Sequence, residues 1–145
     1  MSENLISNGE FDYGSSQWNF TSSGSGVTTE NETVTVINNY CRITPTEAIY
    51  QQIYLDTGKK YLIKINSRSP FLTGTLSIMT LNTNNTWGER IIINSKRSST
   101  WHEEQFTIEA QASWVAPLIL HIRAEQNTEQ SFYLDVDKIE LSEIV

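Results

Sequence analysis

Tyr61-Leu62-Ile63-Lys64-Ile65-Asn66 puts Tyr61, Ile63 and Ile65 on one parity and Leu62, Lys64 and Asn66 on the other. Successive side chains of a strand point to opposite faces, so this alternation marks a half-buried β-strand. The same period recurs on both sides of it. Val34 and Val36 alternate with Thr33 and Thr35, Cys41 and Ile43 with Tyr40 and Arg42, and Ile53 and Leu55 with Gln52 and Tyr54. Downstream, Leu76, Ile78 and Thr80 run against Ser77 and Met79, and Phe106 and Ile108 against Thr107 and Glu109. Leu118, Leu120 and Ile122 alternate with Ile119, His121 and Arg123, then Phe132, Leu134 and Val136 with Tyr133 and Asp135. Short alternating segments parted by turns such as Asp56-Thr57-Gly58 are the mark of a β-sandwich or barrel.

Composition agrees. Ile, Val and Thr total 38 of the 145 residues, against 5 Ala, and Ser, Thr, Asn and Gln fill 51 positions. β-branched side chains suit a pleated surface, and scarce Ala argues against a helical bundle. The last strand changes phase: Phe132, Leu134 and Val136 share one parity, Ile139 and Leu141 the other. One extra residue at Asp137-Lys138, a β-bulge, restores the inward face. Thr21 to Gly26 and Asn82 to Gly88 read as loops, and no linker or repeat divides the chain, so 1–145 is expected to be one domain.

The formal net charge of −7 disfavours nucleic acid and anionic membrane as partners. No apolar run is long enough for a transmembrane helix. The single cysteine, Cys41, excludes an intrachain disulfide and a cysteine zinc cluster, and its parity with Ile43 makes it a core residue. Met1-Ser2-Glu3-Asn4 has neither the basic nor the apolar stretch of a signal peptide. The expectation is a module cut from a secreted or cell-surface protein, or a toxin or phage component made in the cytoplasm.

Asn4-Leu5-Ile6-Ser7-Asn8-Gly9-Glu10-Phe11-Asp12, followed by Trp18, resembles the opening of carbohydrate-binding modules of families 4/9, 16 and 22. Gln52-Ile53-Tyr54-Leu55 with Gly58 and Tyr61, then Trp101 with Phe106, then Asp137-Lys138-Ile139-Glu140-Leu141, are similar to three further motifs of those modules, in the same order. The resemblance implies an all-β jelly-roll sandwich of two antiparallel sheets, like galactose-binding domains. It also implies a structural calcium joining the two ends of the chain, held by the carbonyl of Glu10, the side chain of Asp12 and Asp137. Calcium takes six to eight oxygens, and Asp12 stands where the modules more often have Glu. The plain alternative is that Asp12 caps a turn and Asp137 is a solvated edge acid.

Sugars present apolar C–H faces fringed by hydroxyls, which aromatic platforms and planar polar side chains match. In this fold the ligand lies on the solvent face of one sheet or on edge loops. Tyr50, Gln52 and Tyr54, Arg42, Lys64 and Asn66, and His121 and Arg123 all alternate with apolar residues and are the expected glycan contacts. Outward residues of an antiparallel sheet are polar in any case, and cross-strand pairs of Tyr or Arg stabilise sheets without a ligand. Trp18 and Trp101 fall at motif positions that in those modules usually pack beneath the sheets, so the resemblance implies that both are core residues. Trp87 and Trp114 match no motif; each is either a loop platform for a sugar or a lid on the sandwich.

Catalysis is the weakest reading, and a glycosidase would need two carboxyls facing each other across a cleft. Glu103 and Glu104 are adjacent and so face opposite ways in a strand, and no G-x-S-x-G, H-E-x-x-H or P-loop pattern occurs. The expected function is non-catalytic binding of a neutral or mildly basic glycan, since the acidic charge disfavours a polyanionic one unless Arg42, Lys64 and Arg123 form a local patch. The alternative is a protein-contacting or spacer module of the same fold in a toxin, adhesin or virion.

Overall fold

A computed structural model describes residues 3–14, 16–22, 35–37, 39–45, 47–80, 87–114, 116–129 and 131–145; the side chains of Thr21, Ser22, Thr35 and Trp87 lie outside that description. Most of the two loops read at Thr21 to Gly26 and Asn82 to Gly88 is likewise outside it.

Ten strands and no helix make up the described residues: β1 (Asn19–Ser22), β2 (Thr35–Ile37), β3 (Tyr40–Ile43), β4 (Glu47–Ile53), β5 (Lys60–Arg68), β6 (Gly74–Thr80), β7 (Trp87–Ile93), β8 (His102–Glu109), β9 (Leu118–Ala124) and β10 (Leu134–Glu143). They form two antiparallel five-stranded sheets. Sheet A has the order β1-β4-β9-β6-β7 and sheet B the order β2-β3-β10-β5-β8. This is the expected jelly-roll sandwich.

Alternation decides which face each sheet buries. In β5, Tyr61, Ile63, Ile65 and Ser67 are buried and the residues between them half-exposed. Facing them across the sandwich are Ile49, Ile53, Leu76, Ile78, Leu118, Leu120 and Ile122 of sheet A. Cys41 joins the same core, and burial, then the charge of Asp135, pushes its thiol up, so it stays neutral. The expected bulge is present. The β10–β5 register shifts between Asp137 and Glu140, and Lys138 takes a left-handed φ of 49°. Leu134 and Val136 before it, and Ile139 and Leu141 after it, are therefore all fully buried.

Past the bulge, the N-terminal segment runs alongside β10. Leu5 donates to the carbonyl of Leu141 (2.7 Å), and Ile139 donates to the carbonyl of Gly9 (3.1 Å). A Cβ on Gly9 would strike the backbone oxygen of Ile139, so only glycine admits this approach. Asn8 holds the following turn: its Nδ2 donates to the carbonyls of Gly14 and Ser16, its Oδ1 accepts from Tyr13 N–H, and its carbonyl accepts from the Trp18 indole (2.9 Å). Trp18 stacks on Phe11 inside the core, as expected.

Two expectations need correction. Trp101 is not a core residue; it is 37% exposed, one position before β8, and its ring lies against Arg68 on the outside of sheet B. Tyr50, expected outward and wet, is outward but only 6% exposed. It packs with Met79 and Ile119 as a small apolar cluster separate from the main core.

Candidate functional site

Pairing lines up one row across the outer face of sheet A: Asn19 (β1), Tyr50 (β4), His121 (β9), Ser77 (β6) and Arg90 (β7). The flanking rows are Gln52, Ile119, Met79 and Trp87 on one side, and Ala48, Arg123, Thr75 and Ile92 on the other. Four expected glycan contacts, Tyr50, Gln52, His121 and Arg123, thus share this face.

The face is polar over an apolar base. The Tyr50 and His121 rings lie nearly parallel, 23° apart, with centroids 6.4 Å apart. Burial, then the charge of Arg123, pushes the His121 imidazole down to about 4, so it is neutral at pH 7. A neutral imidazole offers one donor and one acceptor. Burial also pushes the Tyr50 phenol up. Arg123 is pushed down by burial and by the Arg90 charge, yet a guanidinium remains cationic. Ser77 Oγ, in the middle of the row, is buried with no hydrogen-bond partner among the described residues. Sequence reasoning passed over Ser77, Met79 and Arg90. Ser77 and Met79 were visible as the outward parity of Leu76 and Ile78; Arg90 stands opposite Ser77 only through the β6–β7 register.

Beyond the end of β4, Tyr54 is 78% exposed and accepts a hydrogen bond from Gln52 Nε2 (3.2 Å). It lines a hollow of about 400 Å³ with Glu3, Asp56 and Glu143. Trp114 is half-buried against the core, and its ring covers Gly88 so closely that an added Cβ there would lie 2.9 Å away. Trp87 begins β7 opposite Met79, and its ring lies outside the described residues.

The remaining expected contacts are on the other sheet. Arg42 (β3), Lys64 and Asn66 (β5) lie on the outer face of sheet B, across the sandwich from Tyr50 and His121, so one groove does not include both sets. Arg42 is committed there: its Nε and Nη2 donate to the two oxygens of Asp135 at 2.9 and 3.1 Å. Lys64 pairs with Glu140 and Gln105 in register, and Asn66 with Asp137 and Glu103.

The bulge brings the expected metal ligands near one another. Asp137 Oδ1 is buried without a partner, and burial pushes its carboxyl up despite Lys138, with the charges of Glu10 and Asp12 adding to the rise. A buried carboxylate oxygen without a partner, on a carboxyl that feels the charges of Glu10 and Asp12, suits a hard cation. Among the described residues no group of three His, Cys, Asp or Glu side chains is close enough to hold a metal by itself, so backbone carbonyls would have to complete the shell.

No protein-family profile and no curated protein sequence matches the chain. Solved structures do. A family 4 carbohydrate-binding module superposes with TM-score 0.75 at 18% identity, covering 96% of this chain and 99% of that one. A family 61 module in complex with β-1,4-galactotriose gives 0.65 at 12% identity, covering 99% and 100%. The enzymatically active portion of a bacteriophage tailspike protein gives 0.69 at 13% identity, covering 97% of this chain but 21% of that one. At these identities the likeness establishes a shared fold. That fold serves both as a separate binding module and as one part of a longer enzyme chain.

Proposed function

We propose that this domain is a non-catalytic carbohydrate-binding module whose glycan lies on the outer face of sheet A. The observation that carries the reading is the row Tyr50–His121–Ser77, a stacked pair of rings beside an unpartnered buried hydroxyl, flanked by Gln52 and Arg123. The half-buried His121 ring is the apolar surface offered to C–H groups, and Tyr50, Met79 and Ile119 are packed as its buried base. Gln52, neutral His121 and Arg123 supply donors and acceptors for hydroxyls on a largely preformed surface. Like folds that are carbohydrate-binding modules, one of them holding a galactotriose, support the same use.

A glycan array tests it. The protein is expected to bind a family of neutral oligosaccharides, and Tyr50→Ala to weaken the best of them by about tenfold or more, because it removes the ring on which His121 is stacked. Binding that Tyr50→Ala leaves unchanged would move the site off sheet A. An array without a hit would favour the protein-contact or spacer reading.

A structural calcium at the carbonyl of Glu10, the side chain of Asp12 and Asp137 completes the reading. It would cross-link the N-terminal turn to the bulge of β10, and ligand binding to the native state alone raises stability. Calcium is expected to raise the melting temperature of the parent protein and not of Asp137→Asn. In chelator, Asp137→Asn is expected to be at least as stable as the parent, because it removes a charge that burial disfavours. Equal melting temperatures with calcium and with chelator would remove the ion.

A further inference from the structure

The outer face of sheet B carries a feature that the glycan reading of sheet A does not use. Asp135 stands in register between Arg42 on β3 and Arg68 on β5, is fully buried, and accepts from both. Each guanidinium is stacked in turn. Arg42 lies 3.8 Å from the centroid of Tyr133 and 5.9 Å from that of Tyr40. Arg68 lies 5.1 Å from Tyr40 and 4.7 Å from Trp101. The result is an alternating ladder, Tyr133–Arg42–Tyr40–Arg68–Trp101, with Trp101 and Tyr40 also meeting edge to face at 5.5 Å.

Three properties make the Arg68–Trp101 end of the ladder a binding surface as well as a brace. It is rigid before any ligand arrives, since Asp135 fixes the Arg68 Nε edge at 2.9 Å. It is accessible: Trp101 is 37% exposed and the Arg68 side chain 29%. It is cationic, because two guanidiniums share one carboxylate in a protein of net charge −7. Arg68 donates to Asp135 through Nε and also has a hydrogen bond with the Tyr40 side chain, and no second carboxylate pairs with it among the described residues. A planar fork beside an exposed indole matches a sugar ring that bears a carboxylate: ring C–H groups on the indole, carboxylate on the Nη edge.

We propose that Trp101 and Arg68 form a second glycan subsite, on the opposite side of the sandwich from Tyr50, which takes a uronic-acid residue. Glu103 is the next outward residue of β8, in register with Asn66. The subsite stands whether or not sheet A binds sugar.

The test is a titration of the whole 145-residue protein with trigalacturonate in calcium-free buffer, followed by the indole N–H resonances and by calorimetry. Saturable movement of the Trp101 indole resonance is expected. Affinity should fall by at least tenfold in Trp101→Ala, and fall steeply as salt rises from about 50 to about 500 mM, as screening requires. The neutral analogue β-1,4-galactotriose should leave the Trp101 resonance in place, even if it moves resonances on sheet A. No saturable shift with trigalacturonate, an undiminished affinity in Trp101→Ala, or an equal response of Trp101 to the neutral sugar would each overturn the proposal. The parent protein's resonance gives the answer even if the variant folds poorly.

Discussion

Asp135→Ala is expected to cost about 3–5 kcal/mol of folding stability, the range for removing one partner from a buried ion pair. Asp135 has no exposed surface, and both its oxygens are taken by Arg42 and Arg68 at 2.9–3.1 Å. Its removal leaves two like charges facing each other across β10 with no anion between them. It also frees the guanidiniums from the Tyr133, Tyr40 and Trp101 rings that their fixed edges now hold in place. The residual exposure of both arginines, 32% and 29% by side chain, lets them swing toward water and places the cost toward the lower end. Asp135→Asn keeps the shape and one acceptor and should lose less. Urea unfolding reads the difference as a lower midpoint at unchanged slope. A loss below about 1 kcal/mol for Asp135→Ala would mean that the ladder stands without its central acid.

The second large effect is an acid dependence that belongs to His121. The native imidazole takes a proton only near pH 4, whereas the unfolded one takes it near the ordinary value of 6.5. Between those values the unfolded chain binds more protons, so stability rises with pH from about 4 to 6.5 and is fully present above that window. The two affinities differ by the equivalent of ~3 kcal/mol, which is the contribution lost on acidification. Carboxylates add their own slope at the low end. The Glu125 carboxyl is pushed down by its bonds from Thr73 and Arg97, which outweigh its burial. The difference between the parent and His121→Gln isolates the imidazole. His121→Gln should lose markedly less stability between pH 6.5 and 4, whatever its stability at neutral pH. Parallel stability curves for the two proteins over that range would show that the ring is wet and ordinary.

Strand alternation made much of this fold readable before any coordinates. The parity of Tyr61, Ile63 and Ile65 matched the buried face of β5, and the phase change between Val136 and Ile139 located the bulge at Asp137-Lys138. Parity says which way a side chain points, not which strand lies beside it. That is why Arg42, Lys64 and Asn66 grouped with Tyr50 and His121 by pattern yet lie on the other sheet. Pairing between β4 and β9, or β3 and β10, joins segments many tens of residues apart and leaves no local mark. The burial of Tyr50 was hidden for the same reason, since its cover comes from Met79 and Ile119 on other strands. Trp101 misled through its motif position: it precedes His102, the partner of Ser67, and its indole lies against the guanidinium of outward Arg68 instead of the core. The Arg42–Asp135–Arg68 group had one local clue, an acid set between Leu134 and Val136, but no local sign that two arginines would meet there.

Backbone amide shift mapping with the neutral oligosaccharide that binds best on the array is the most direct test of where sugar lies. Changes centred on Tyr50, Gln52, Ser77, His121 and Arg123, with β3 and β5 quiet, are the predicted result. A footprint confined to sheet B or to the chain ends, or the absence of any footprint at saturating sugar, would contradict it.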